Sequence, residues 1–90
     1  MVPEVILQAA PVICGIDRLD SRLVFMDGVF VALLTHLAGE HYGDDQGRWF
    51  LEASFGSYVT RNNLPEPFAD LDEAVEWLTA AAQSHPIDVN

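Results

Sequence analysis

The sequence predicts an α+β fold: a small antiparallel β-sheet of four to five strands with one C-terminal helix packed on one face. Three stretches carry that expectation. Residues 68–83 (FADLDEAVEWLTAAAQ) combine a helix start signal with an apolar stripe. Asp27-Gly28 stands between two apolar, β-favouring runs, and Trp49 to Phe55 alternates in the manner of a half-buried strand.

The helix is the most explicit element. Asp70 stands at the N-cap position and Glu73 follows three residues later, the spacing of a capping box. Leu71, Ala74, Val75, Leu78, Ala81 and Ala82 then recur at intervals of three and four, which lays one apolar stripe along the helix. Phe68 precedes the cap where a hydrophobic staple would sit, and His85-Pro86 ends the run.

Upstream, Val5-Ile6-Leu7 and Val12-Ile13-Cys14 read as one or two brief strands, with Pro11 keeping at least one of them at a sheet edge. Gly15 to Ser21 mixes turn residues with charge and reads as a loop. Asp-Gly between Arg22–Met26 and Val29–Leu34 is a hairpin signal, because a type I′ turn needs positive φ at both central residues. The rival reading is a helix capped by Asp27, with Val29, Leu33 and Leu37 at spacing four and Gly39 closing it. The hairpin is the reading adopted. Gly39 to Gly47 holds three glycines and three acids in nine residues and reads as a loop. Trp49, Leu51, Ala53 and Phe55 are expected on one strand face, with Phe50, Glu52 and Ser54 on the other. Tyr58–Arg61 reads as a returning strand, and NNLPEP (62–67) as a rigid connector to the helix.

Ninety residues make one domain, 1–90, which buries only roughly 60 to 65% of its unfolded surface. Half the residues are hydrophobic, which argues for a globular core. Charge is the most unusual feature. Fourteen acids face four bases, Arg18, Arg22, Arg48 and Arg61, with no lysine and a net charge of −10. Such a body repels nucleic-acid phosphates and anionic membranes and attracts basic protein surfaces. Cys14 is the single cysteine, so no internal disulfide forms; it reads as a small buried hydrophobe. Glu4 stands where a signal peptide wants positive charge, and no segment approaches a membrane span, so a cytoplasmic location is expected.

Chemistry-bearing constellations are sparse. His36, His41, Asp44 and Asp45 have the donor types of a metal site, but the histidine spacing matches neither a helical pair nor a zinc-finger tail. No serine or cysteine sits in a nucleophile-elbow context, and the glycines at 39, 43 and 47 lack the spacing of a phosphate loop. No enzyme activity, cofactor or metal is therefore expected. The densest acidic stretch is Glu66 to Glu76, with five acids in eleven residues. Glu66, Asp70, Asp72, Glu73 and Glu76 are the expected partner-binding carboxylates, with Asp44 and Asp45 as a second acidic patch. Trp77, at the border of the apolar stripe beside Glu73 and Glu76, suits an arginine of a partner through cation–π contact.

This profile of small size, acidity, a single domain and no chemistry is similar to that of anti-CRISPR proteins, antitoxins and immunity proteins. The resemblance is one of charge and size and rests on no specific residue. It implies a non-enzymatic acidic inhibitor that engages a basic, nucleic-acid-handling protein surface in the manner of a phosphate mimic, with no direct nucleic-acid or membrane binding. The alternative is a homodimeric structural or regulatory module whose acidity confers solubility alone. A third class is a metal-dependent enzyme built on His36 and His41.

Overall fold

The first part of the chain runs as three consecutive antiparallel strands. The computed structural model describes residues 4–15, 17–55 and 65–84, apart from the side chains of residues 14, 17, 83 and 84. Strand β1 (Val5–Cys14) pairs with β2 (Asp17–Met26) along its whole length, from Val5↔Met26 to Cys14↔Asp17. At the next turn Asp27 and Gly28 have φ of 51° and 83°, the two positive values that a type I′ hairpin requires. Strand β3 (Val29–His36) returns along β2, and β4 (Trp49–Ser54) pairs with β3, so the sheet is a meander of order β1-β2-β3-β4. The helical alternative at Asp27 is excluded by the extended backbone of β3.

Two expectations for the first half are corrected. The apolar runs at Val5 and Val12, expected as one or two brief strands, are one strand but not a brief one, ten residues carried through Ala9-Ala10-Pro11. Pro11 is accommodated because β1 is an outer strand of the sheet. Residues read as a loop up to Ser21 are, from Asp17 onward, the first half of β2. Arg18 and Asp20 are exposed while Leu19 and Ser21 are buried, a two-residue period disguised by turn-type composition. Cross-strand pairing with β1 decides the conformation there, overriding local preference.

Between β3 and β4, Glu40–Asp45 forms two 3-10 turns that meet at Gly43, whose φ of 59° and ψ of −125° break the helical run. The expected loop thus contains a small ordered cap. Register shifts occur at Val24/Phe25 between β2 and β3, and at Leu33/Leu34 between β3 and β4. The second places Glu52 as an extra residue between Leu51 and Ala53. It breaks the expected alternation of Trp49 to Phe55. Leu51 joins the core, whereas the Phe55 ring lies 5.0 Å from Phe30, which in turn packs 5.5 Å from Phe25.

Helix α1 (Leu71–Ser84) begins as its sequence dictates. The Glu73 amide donates to Asp70 Oδ1 at 2.8 Å, and the Ala69 amide donates to Glu73 Oε2 at 2.9 Å. Ahead of it, Phe68 exchanges two backbone hydrogen bonds with Trp49, of 2.8 and 2.7 Å, which moors the approach to the helix along the outer side of β4. The helix stripe then meets the sheet. Ala74 and Leu78 are fully buried in one cluster with Val24, Met26, Val31, Ala32, Leu34, Leu51 and Phe68. Leu7, Trp49, Leu71 and Trp77 pack around its margin. Among the described residues the architecture is therefore α+β, a four-stranded antiparallel sheet with one C-terminal helix on one face. The returning strand expected at Tyr58–Arg61 and the burial expected for Cys14 lie outside the described residues and side chains.

The helix covers only part of the sheet. Fourteen helical residues span about 21 Å, whereas ten strand residues span about 33 Å. On the opposite face a second, smaller buried group forms, because Leu19, Ser21, Thr35 and Leu37 alternate with residues that face the helix. The 3-10 cap lies at that end, and Phe25, Phe30 and Phe55 lie toward the other.

Candidate functional site

The helix presents its carboxylates because its apolar stripe faces the other way. Asp72 and Glu76 are each two residues from a buried stripe position, which turns them about 200° around the axis from Ala74 and Leu78. Four residues apart, they stand on one side of the helix about 6 Å apart along the axis. Both are exposed, and neither has a hydrogen bond or ion pair among the described residues. Asp70 and Glu73 are exposed as well, but their carboxylates are held at the helix start, Asp70 by the Glu73 amide and Glu73 by the amide of Ala69, one residue before the cap. Asp72 and Glu73 also lie in the first turn, where the helix dipole favours negative charge. Two of the helix carboxylates thus hold the helix start, and Asp72 and Glu76 are the two on the helix with no hydrogen bond or ion pair among the described residues.

Trp77 is half-buried. Its ring lies 5.9 Å from Phe68 at an interplanar angle of 52°, on the margin of the core. The cation–π contact within the described residues is elsewhere: the Arg22 guanidinium lies 5.1 Å from the centre of the Trp49 ring. The Trp49 ring is itself 4.7 Å from His36. His41 packs on Tyr42 at 4.2 Å, so the two histidines lie against different aromatic partners. Among the described residues no three His, Cys, Asp or Glu side chains come together in the arrangement of a metal site. No helix of the described residues is long and apolar enough to cross a membrane.

Asp44 and Asp45 are exposed at the end of the 3-10 cap, and Glu66 is exposed just before Pro67. The fold brings these regions together. Asp45 and Pro67 line one cleft of about 380 Å³ with Leu19, Thr35, Leu37, Tyr42, Phe50 and Glu52. The cleft is built on the sheet face opposite the helix: Ser21, Thr35 and Phe50 are consecutive cross-strand partners there, and Leu19, Leu37 and Glu52 flank that row. Its floor is buried (Leu19, Thr35, Leu37), its walls are half-buried (Tyr42, Phe50, Pro67), and its rim is acidic and exposed (Asp45, Glu52). Thr35 is 1% exposed, and its hydroxyl has no hydrogen-bond partner among the described residues. Most buried polar groups are paired, so this hydroxyl and that of Ser54, also without a partner among the described residues, stand out.

Sequence reasoning identified Asp45 but not the residues that meet it. Leu19, Thr35, Phe50 and Glu52 come from three different strands, and their convergence is set by register, which no local pattern in the chain announces. A depression at the far end of the β1–β2 hairpin, lined by Pro11, Arg18, Asp20 and Arg22, mixes both charge signs and has no distinct polarity. No family model, curated protein or solved structure matches the chain.

Proposed function

We propose that the protein acts without chemistry of its own, as an acidic binding or inhibitory protein. Its carboxylates cover a basic protein surface of the kind that normally holds nucleic acid. The observation that supports this most directly is the pair Asp72 and Glu76. They are exposed, they have no hydrogen bond or ion pair among the described residues, and the helix holds them at fixed spacing. Glu66, Asp44 and Asp45 add negative charge outside the helix, on a chain whose net charge is −10. Such a field draws in a cationic partner over about 10 Å at moderate salt. The partly exposed edge of Trp77 beside Glu73 and Glu76 supplies a place for an arginine to settle.

The test is affinity capture from the native host with the chain immobilised at low salt, followed by stepwise elution with salt. Basic nucleic-acid-binding proteins eluting between low and physiological ionic strength are the expected result. Retention of no basic protein would count against the reading.

One observation favours a second reading, a homodimeric module. Ile6, Phe30 and Phe55 are 50%, 37% and 49% exposed, and β1 offers a long outer edge. Light scattering at micromolar concentration separates the two, since a dimer that persists when the acidic residues are reversed belongs to the second.

A further inference from the structure

The backbone of β1 has one row of hydrogen-bonding groups that is unpaired among the described residues. The Asp27 amide donates to the Glu4 carbonyl at 2.9 Å, so Glu4 and Asp27 face each other across the strand pair. The register from Val5↔Met26 to Cys14↔Asp17 is unbroken, and antiparallel pairing alternates along it. Ile6, Gln8, Ala10 and Val12 therefore turn their backbone groups toward β2, and the Ser21 hydroxyl donating to the Ala10 carbonyl agrees with this. Val5, Leu7, Ala9, Pro11 and Ile13 turn theirs to the outer side, where β1 has no neighbouring strand among the described residues. Pro11, which has no N–H, falls on this outer row. At the other edge of the sheet, Trp49 of β4 already exchanges two hydrogen bonds with Phe68.

We propose that this edge pairs antiparallel with β1 of a second copy, joining the two sheets into one around a two-fold axis at Leu7. The proposal rests on the homodimeric reading above and names its surface. Charge selects the occupant: Val5 to Cys14 carry no acidic or basic side chain, in a chain of net charge −10. Two copies repel each other least where neither bears a carboxylate, and a basic partner finds nothing there to pair with. Pro11 selects the register. Each rung of the ladder needs an outer N–H, and the proline ring would stand against the carbonyl of an opposing strand. Centring on Leu7 sets Leu7 opposite Leu7 and Val5 opposite Ala9 of the other copy, so these residues complete the ladder and Pro11 stays beyond it. Ile6, 50% exposed, then lies opposite Gln8 of the other copy, on the face that carries Phe25. So short a contact buries less than the roughly 800 Å² per partner of a stable interface, and a dissociation constant on the order of 100 μM is expected.

Sedimentation equilibrium on the full chain reads the association, and amide exchange followed by two-dimensional NMR reads the edge. The chain should dimerise at about 100 μM, and more tightly as salt screens the repulsion between two anionic bodies. Well above that concentration the amides of Val5, Leu7 and Ala9 should gain a protection that they lose on dilution, while Ile13 exchanges freely at both. Ile6, Gln8 and Ala10 should be protected throughout by β2. Ala9→Pro removes one outer N–H per copy and no bond to β2, so it should weaken the dimer about thirtyfold in a folded chain. Ala9→Ser, which keeps the N–H, should dimerise like the parent. A folded Ala9→Pro that dimerises as tightly as the parent would overturn the edge as the interface while leaving the homodimeric reading standing. No association at about ten times the expected dissociation constant would overturn both. Outer amides already protected in the dilute monomer would show that another stretch of this chain covers the edge. A dimer that loosens with salt would place charged groups in the contact. Either result sinks the proposal.

Discussion

Glu73 shows how one residue can mislead when its charge is counted without its contacts. Its carboxylate receives the Ala69 amide, and its own amide is received by Asp70, so reversing its charge would damage the helix start as well as any interface. Asp70→Ala should destabilise the protein by about 1 kcal/mol, read as a shift of the urea midpoint at unchanged slope. An unchanged midpoint would mean that the cap contributes nothing to the fold. Thr35 makes the opposite prediction. Its hydroxyl is buried without a partner among the described residues, so Thr35→Val, which keeps the shape and removes the polar atom, should stabilise the protein by about 1 kcal/mol. A loss of stability would show that the hydroxyl is satisfied in solution.

At the scale of elements, local rules and pairing divide the fold between them. The β2–β3 turn and the start of α1 were legible because each depends on a few adjacent residues. Asp27-Gly28 meets the backbone requirement of a type I′ turn, and Asp70 with Glu73 meets that of a capping box. Gly28→Val should cost about 1–2 kcal/mol, since a β-branched residue is forced to φ near 83°. Thermal unfolding reads this directly, and a wild-type melting temperature would mean that the turn rearranges without penalty. The first half of β2 was not legible. Asp17, Arg18, Asp20 and Ser21 favour turns in isolation and become strand only because β1 lies alongside. The bulge at Glu52 was hidden for the same reason. A register shift belongs to two strands together, and it sends Phe55 to the face opposite Leu51. The cleft inherits that invisibility, since three strands and the 3-10 cap must be in place before its residues meet.

For the whole molecule the governing feature is the distribution of charge over a thin fold. Among the described residues α1 is the cover for one face of the sheet, and its side remote from the core is exposed at Asp72, Glu73 and Glu76. Asp72 and Glu76 stand on that side, Asp45 and Glu52 rim the cleft on the other face, and Arg22 is drawn in over Trp49. The net charge of −10 was plain from composition, but which carboxylates remain available was decided by the cap and the sheet. The measurement that tests the central claim most directly is the affinity of Asp72→Lys/Glu76→Lys for a basic partner captured by the parent chain, taken at low and at physiological salt. This pair spares Asp70 and Glu73, and circular dichroism confirms that the helix persists. Each lost contact with a partner arginine should weaken binding by roughly 1 to 3 kcal/mol, and the salt dependence of the parent should flatten in the variant. A folded variant that binds as tightly as the parent, with the same response to salt, would contradict the assignment of this helix face as the binding surface.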